Sequence, residues 1–179
     1  LKDNVVATYD AVTKTSKALD QDFLNDNGFG AHGTAVAGIA AGSANSKGII
    51  GVAPDAKLIL IAIGATTNTD AQLIDAFDFA MKNGANVVSC SWGTFNVSSA
   101  VNAKIKELYD NNITVVFATG NNGYNLDNPH PDDGSTINDE SELPWVIGVG
   151  SSTEAALKKD SSNYGKRVDI LAPSGENIG

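Results

Sequence analysis

Two short stretches carry the side chains best suited to chemistry: Gly30-Ala31-His32-Gly33-Thr34 and Thr119-Gly120-Asn121-Asn122-Gly123. His32 offers an imidazole, the side chain whose ordinary protonation change falls nearest neutral pH, and is a candidate base. Asn121 offers an amide donor among glycines, where the backbone permits close approach of a substrate. A base, a donor for a developing oxyanion and an edge that holds an extended chain are what acyl transfer requires. Ser91-Trp92-Gly93, which follows an apolar run, is a candidate for that edge through strand addition. Each has a plainer reading: His32 as a core histidine satisfied by one hydrogen bond, and Asn121-Asn122-Gly123 as a simple turn.

Other chemistries are less well served. The two histidines are far apart and form no helical pair of metal ligands. A single cysteine, Cys90, excludes an internal disulfide and a cysteine-based metal cluster; inside an apolar run it reads as buried filler. Gly148-Val149-Gly150-Ser151-Ser152-Thr153 lacks the third glycine of a dinucleotide fingerprint, and no Walker-type loop is present. With 12 Lys and Arg against 21 Asp and Glu, the chain carries a net charge of -9, which argues against nucleic acid and anionic membrane as partners. No segment has the apolar length of a membrane-spanning helix, and no signal peptide is visible at Leu1.

The elements that must position these groups follow from periodicity. Residues 1–179 read as a single domain with a substantial core. Val5-Val6-Ala7-Thr8-Tyr9 is a short β-rich run. Thr34 to Gly42 is uncharged and built of small and aliphatic residues, the pattern of a buried helix that would hold His32 at its start. Leu58–Ile63, Asn86–Cys90, Thr114–Ala118, Val146–Val149 and Val168–Leu171 read as apolar strands, buried on both faces. Between them, one helix is capped by Thr69 with Gln72, presents Leu73, Phe77, Ala80 and Met81 on one face and ends at Asn83-Gly84. Another is marked by Val101, Ile105 and Leu108 and closes at Asn111-Asn112. Strands alternating with helices predict an α/β fold, a doubly wound and mainly parallel sheet flanked by helices, with ligands gathering beyond the carboxyl ends of the strands. An unrelated ligand-binding α/β domain satisfies the same pattern.

Six segments, FGAHGTAVAGIAAG, GIIGVAPDAKL, VVSCSWGT, VVFATGNNG, ELPWVIGVGSS and VDILAPSGENI, resemble in order successive segments of the subtilisin-like serine proteases. The resemblance implies peptide-bond hydrolysis by a Ser-His-Asp triad with an asparagine oxyanion hole, acting on peptide or protein substrates. By position, His32 resembles the general base and Asn121 the oxyanion amide. Ser91, Trp92 and Gly93 resemble the substrate-binding edge, and Ala118, Thr119 and Gly120 a wall of the pocket before the scissile bond. No cofactor is required for that chemistry. The loop from Ser43 to Ile49 resembles one that binds structural calcium in some members, with Asn45 supplying the side chain. Family habit implies secretion or a cell-surface location.

The chain also departs from the family. The triad aspartate of the family belongs to an apolar strand ending in Asp-Thr-Gly or Asp-Ser-Gly; on the sequence Asp3, Asp10, Asp20, Asp22 and Asp26 lack both the preceding strand and the following glycine. No serine stands in the Gly-Thr-Ser segment that opens the serine helix. The expectation is therefore an incomplete subtilisin-like sheet, lacking the aspartate strand and the serine helix, and inactive by itself. A non-catalytic protease-like module that binds extended peptides is the alternative. In that incomplete sheet Leu58–Ile63 and Asn86–Cys90 either close on each other or leave unpaired edges, which favours lowered stability or a homo-oligomer. Cys90-Ser91-Trp92-Gly93 is similar to the kexin-like branch, although Thr94-Phe95-Asn96 replaces the acidic cluster found there. Asp139 and Glu140 fall where the pocket floor is expected and would favour a basic side chain; a solvated acidic loop is the competing reading.

Overall fold

The computed structural model describes residues 1–16, 30–64, 68–94, 96–131, 134 and 139–174. Asp20, Asp22, Asp26 and Phe95 lie outside them. The chain divides into two compact units, Leu1–Ala85 and Asn86–Gly179.

In the first unit a short 3-10 turn, Lys2–Asn4, leads into β1, Val5–Asp10. This strand pairs in parallel with β2, Leu58–Ala62, in a register that sets Val5 beside Leu58 and Asp10 beside Ala62. Helix α1 spans Gly30–Ala41, and helix α2, Asp70–Lys82, follows β2. The predicted capping box at α2 is present: Thr69 accepts from Gln72 N, and Gln72 Oε1 accepts from Thr69 N. Leu73, Ala76, Phe77 and Ala80 form its buried face. The Tyr9 ring stacks on Phe79 with centroids 4.2 Å apart, and its hydroxyl bonds Asp75 Oδ2 at 2.5 Å, fastening β1 to α2.

Among the described residues β2 pairs with β1 alone, in a two-stranded sheet that the strand ending at Cys90 does not join, one of the outcomes expected of a sheet lacking the aspartate strand. Two expectations change here. The strand from Leu58 is half-buried along its length. Helix α1 buries Ala37 and Ala41 but leaves Ile39 62% exposed, so it is apolar without being a buried helix. Its carboxyl end explains why small residues are required there. Val52 N and Ala53 N bond the carbonyls of Ile39 and Ala40, and Gly51 crosses so closely that a Cβ on it would lie 2.3 Å from Gly42 N.

The second unit is a four-stranded parallel sheet in the order β3-β4-β5-β6. Its strands are Val87–Cys90, Thr114–Ala118, Ile147–Ser152 and Ile170–Pro173. Helix α3, Ser99–Asp110, is capped by Ser98 and buries Val101, Ile105 and Leu108, as its spacing predicts. It packs on β4, where Val115 and Phe117 supply the sheet side of the core. The strands β3 and β6 are not buried on both faces: Val87 is 60% exposed and β6 is exposed throughout. Both lie at the ends of the sheet, where a strand has one neighbour instead of two. Among the described residues no helix is long and apolar enough to cross a membrane.

Candidate active site

Asp10 occupies the last position of β1, and the chain reverses immediately after it. Asp10 N and Thr15 O are bonded at 2.9 Å, while Asp10 Oδ1 accepts from Val12 N at 2.8 Å and Thr13 N at 3.0 Å. The residue is buried at 5% exposure. A parallel strand thus delivers a buried carboxylate at its carboxyl end, fixed in orientation by the turn that follows. Ala11-Val12 follows it in place of the Thr-Gly or Ser-Gly of the family's aspartate strand, so Asp10 does not match that motif. His32, in the first turn of α1, is exposed.

The second unit builds a cleft of about 200 Å³ at the carboxyl ends of β3 and β4. Ser91, Trp92 and Gly93 from the segment after β3 line it, together with Ala118, Gly120 and Asn121 from the end of β4 and the turn beyond. Of the predicted binding residues, Thr119 alone is not on that lining; it is buried beneath it at 1% exposure. Trp92 packs edge-on against the buried Phe117 ring, with centroids 5.0 Å apart, which sets the wall on the core. Gly120 has φ +94°, and Asn121 is exposed on the turn it begins.

Asp139 and Glu140 do not form a solvated loop. Glu140 is fully buried in the short 3-10 turn Glu140–Glu142 and clamps the substrate-edge segment. Thr94 N donates to its Oε2 at 2.9 Å and Thr94 Oγ1 to its Oε1 at 2.8 Å. Asp139 caps the turn by accepting from Ser141 N and Ser141 Oγ, with its other oxygen against Gly93. Asp139 and the buried His130 both line the cleft, and His130 meets Tyr124 edge-on. Burial holds both carboxyls above the usual carboxylate range, against the hydrogen bonds from Ser141 and Thr94, which pull them down. Cys90, at the end of β3, is a buried filler as expected. Burial pushes its thiol far up, and the charge of Glu140 adds to that.

These shifts give a stability prediction. A carboxyl whose folded-state pKa is raised contributes stability that is fully present below the unfolded value, near pH 4, and lost as pH rises through the folded value. Glu140→Gln keeps an oxygen for Thr94 N and lets Thr94 Oγ1 accept instead of donate, while removing the buried charge. Denaturant unfolding of this variant is expected to match wild type near pH 4 and to gain on it as pH rises to 8. Glu140→Ala strands Thr94 N–H and is expected to cost about 1–3 kcal/mol.

The loop that resembles a calcium site runs over the surface around Asn45. Asn45 is exposed and its Oδ1 accepts from Lys47 N at 3.2 Å. The hollow it borders is lined by Lys47 and by small or apolar residues, with no carboxylate among them. No group of three acidic, histidine or cysteine residues placed to hold a metal ion occurs among the described residues.

Comparison with known proteins agrees with this architecture. The subtilase family model matches residues 2–179. The chain is 32% identical over 165 residues to the major intracellular serine protease of Bacillus subtilis, covering 88% of this chain and 48% of that protein. It is 30% identical over 177 residues to the minor extracellular protease Epr of the same organism, covering 98% of this chain and 25% of that protein. Among solved structures, the prenylagaramide maturation protease PagA superposes with a TM-score of 0.65 at 26% identity, over 77% of this chain and 50% of PagA. A lanthipeptide protease superposes with a TM-score of 0.75 at 20% identity, over the whole of this chain and 51% of that one, a likeness of fold. The chain spans at most about half the length of these relatives. With its parallel sheets, flanking helices and a family match over nearly all its residues, the chain belongs to the subtilase family of serine proteases.

Proposed function

We propose that these residues are the central part of a serine endopeptidase catalytic domain. His32 is its general base and Asn121 the oxyanion donor. What carries the reading is the cleft beyond β3 and β4, with a peptide-pairing edge on one wall and Asn121 on the other, in a chain of this family. An extended substrate pairs with the backbone of Ser91–Gly93 and sets its scissile carbonyl against the Asn121 amide. His32 takes the proton of the attacking serine hydroxyl and returns it to the leaving amine. The triad aspartate and the nucleophile come from outside these 179 residues, which hold neither an Asp-Thr-Gly or Asp-Ser-Gly strand end nor a Gly-Thr-Ser segment. The 179 residues alone therefore turn over no peptide.

The pocket walls favour a cationic side chain ahead of the scissile bond. Asp139 borders the cleft with one oxygen committed to Ser141, and burial makes its charge costly until a cation joins it. The test is a set of peptides differing only at that residue, offered to the full-length protein. Lysine and arginine substrates are expected to lead in kcat/KM, and Asp139→Asn to reduce that lead by about tenfold or more while apolar substrates are unaffected. Absence of any turnover would refute the enzyme reading and favour the peptide-binding module. Turnover led by apolar residues would refute the pocket reading alone.

A further inference from the structure

The turn that carries Asn121 is built around the side chain of Asn163, a residue about 40 positions further along the chain. Asn163 is 4% exposed and borders the same cleft. Its Oδ1 accepts from two backbone groups on either side of the turn, Asn122 N at 3.1 Å and Tyr124 N at 2.9 Å. Its Nδ2 donates to Thr119 O at 2.7 Å, and its own N–H donates to Gly120 O at 3.1 Å. The amide therefore engages residues 119, 120, 122 and 124 and brackets Asn121. The close approach explains Gly120: a Cβ there would lie 2.7 Å from Asn163 Nδ2, beside a φ of +94° that already disfavours other residues. Neighbouring bonds hold Asn163 in place. Ser162 Oγ accepts from Ser151 N at 2.9 Å, Gly123 N donates to Ser161 O at 2.9 Å, and Tyr164 N donates to Tyr124 O at 2.9 Å.

We propose that Asn163 is the positioning residue of the oxyanion turn, holding the Asn121 amide at the one place where a developing negative charge can be met. The inference rests on the assignment of Asn121 as the oxyanion donor. A donor misplaced by about an ångström loses much of its effect on the transition state while ground-state binding along the edge is spared. Asn163→Ala in the full-length protein is expected to lower kcat by about 10- to 100-fold with KM little changed, short of the roughly 10²- to 10³-fold cost of removing the donor. Affinity for a peptidyl aldehyde, whose adduct bears an oxyanion, falls with kcat, whereas affinity for a product peptide holds.

The decisive comparison is a double-mutant cycle. If Asn163 works through Asn121, the Asn121→Ala/Asn163→Ala pair has the kcat of Asn121→Ala alone. Asn163→Asp guards against a variant that fails to fold: it keeps the acceptor for Asn122 and Tyr124 but sets an oxygen against Thr119 O. It is expected to be folded and slow. Wild-type kcat in both Asn163 variants, or additive losses in the double mutant, overturns the inference while Asn121→Ala remains impaired. An unimpaired Asn121→Ala overturns the oxyanion assignment itself, and this inference with it.

Discussion

Replacing His32 by alanine in the full-length protein is expected to lower kcat by about 10⁶-fold, with KM little changed. A triad acts as one unit, and removal of its base alone costs nearly as much as removal of the whole set. His32 suits the test because its substitution disturbs little else. It is exposed in the first turn of α1, whose buried residues, Ala37 and Ala41, lie further along. The variant should unfold at the temperature of wild type. Steady-state hydrolysis of a peptide substrate, normalised to folded protein, measures the effect, and a loss below about tenfold would remove His32 from the mechanism.

Asn121→Ala is the second large effect, at about 10²- to 10³-fold in kcat with KM little changed, because an oxyanion donor acts on the transition state alone. Asn121 is exposed on its turn, so the substitution removes the amide without opening a cavity, and the thermal midpoint is expected to stay at the wild-type value. Wild-type kcat in this variant would remove Asn121 from the mechanism.

Much of the architecture was legible from residue patterns because those patterns express local physics. The Thr69–Gln72 box, the 101/105/108 stripe of α3 and the strand at Thr114–Ala118 all appear where spacing sets them. The cleft residues Ser91, Trp92, Gly93, Ala118, Gly120 and Asn121 also come together, since parallel strands deliver their carboxyl ends to one edge. What escaped depended on partners remote in sequence. Asp139 and Glu140 read as solvated until Thr94, 46 positions earlier, supplies the donors that let Glu140 be buried. Asn163 gave no signal at all, because its side chain serves a turn some 40 residues upstream. Burial was over-read for the apolar strands, since hydrophobicity does not say which strand ends a sheet.

The central claim is that His32 is the general base, and Asn121 the oxyanion donor, of a serine endopeptidase. Its most direct test is the labelling rate of the full-length protein by a peptidyl phosphonate, followed by intact mass. The account predicts one label per chain, on a serine, with the rate collapsing in His32→Ala and falling in Asn121→Ala. No label on the folded wild-type protein, or equal rates in wild type and His32→Ala, would contradict it.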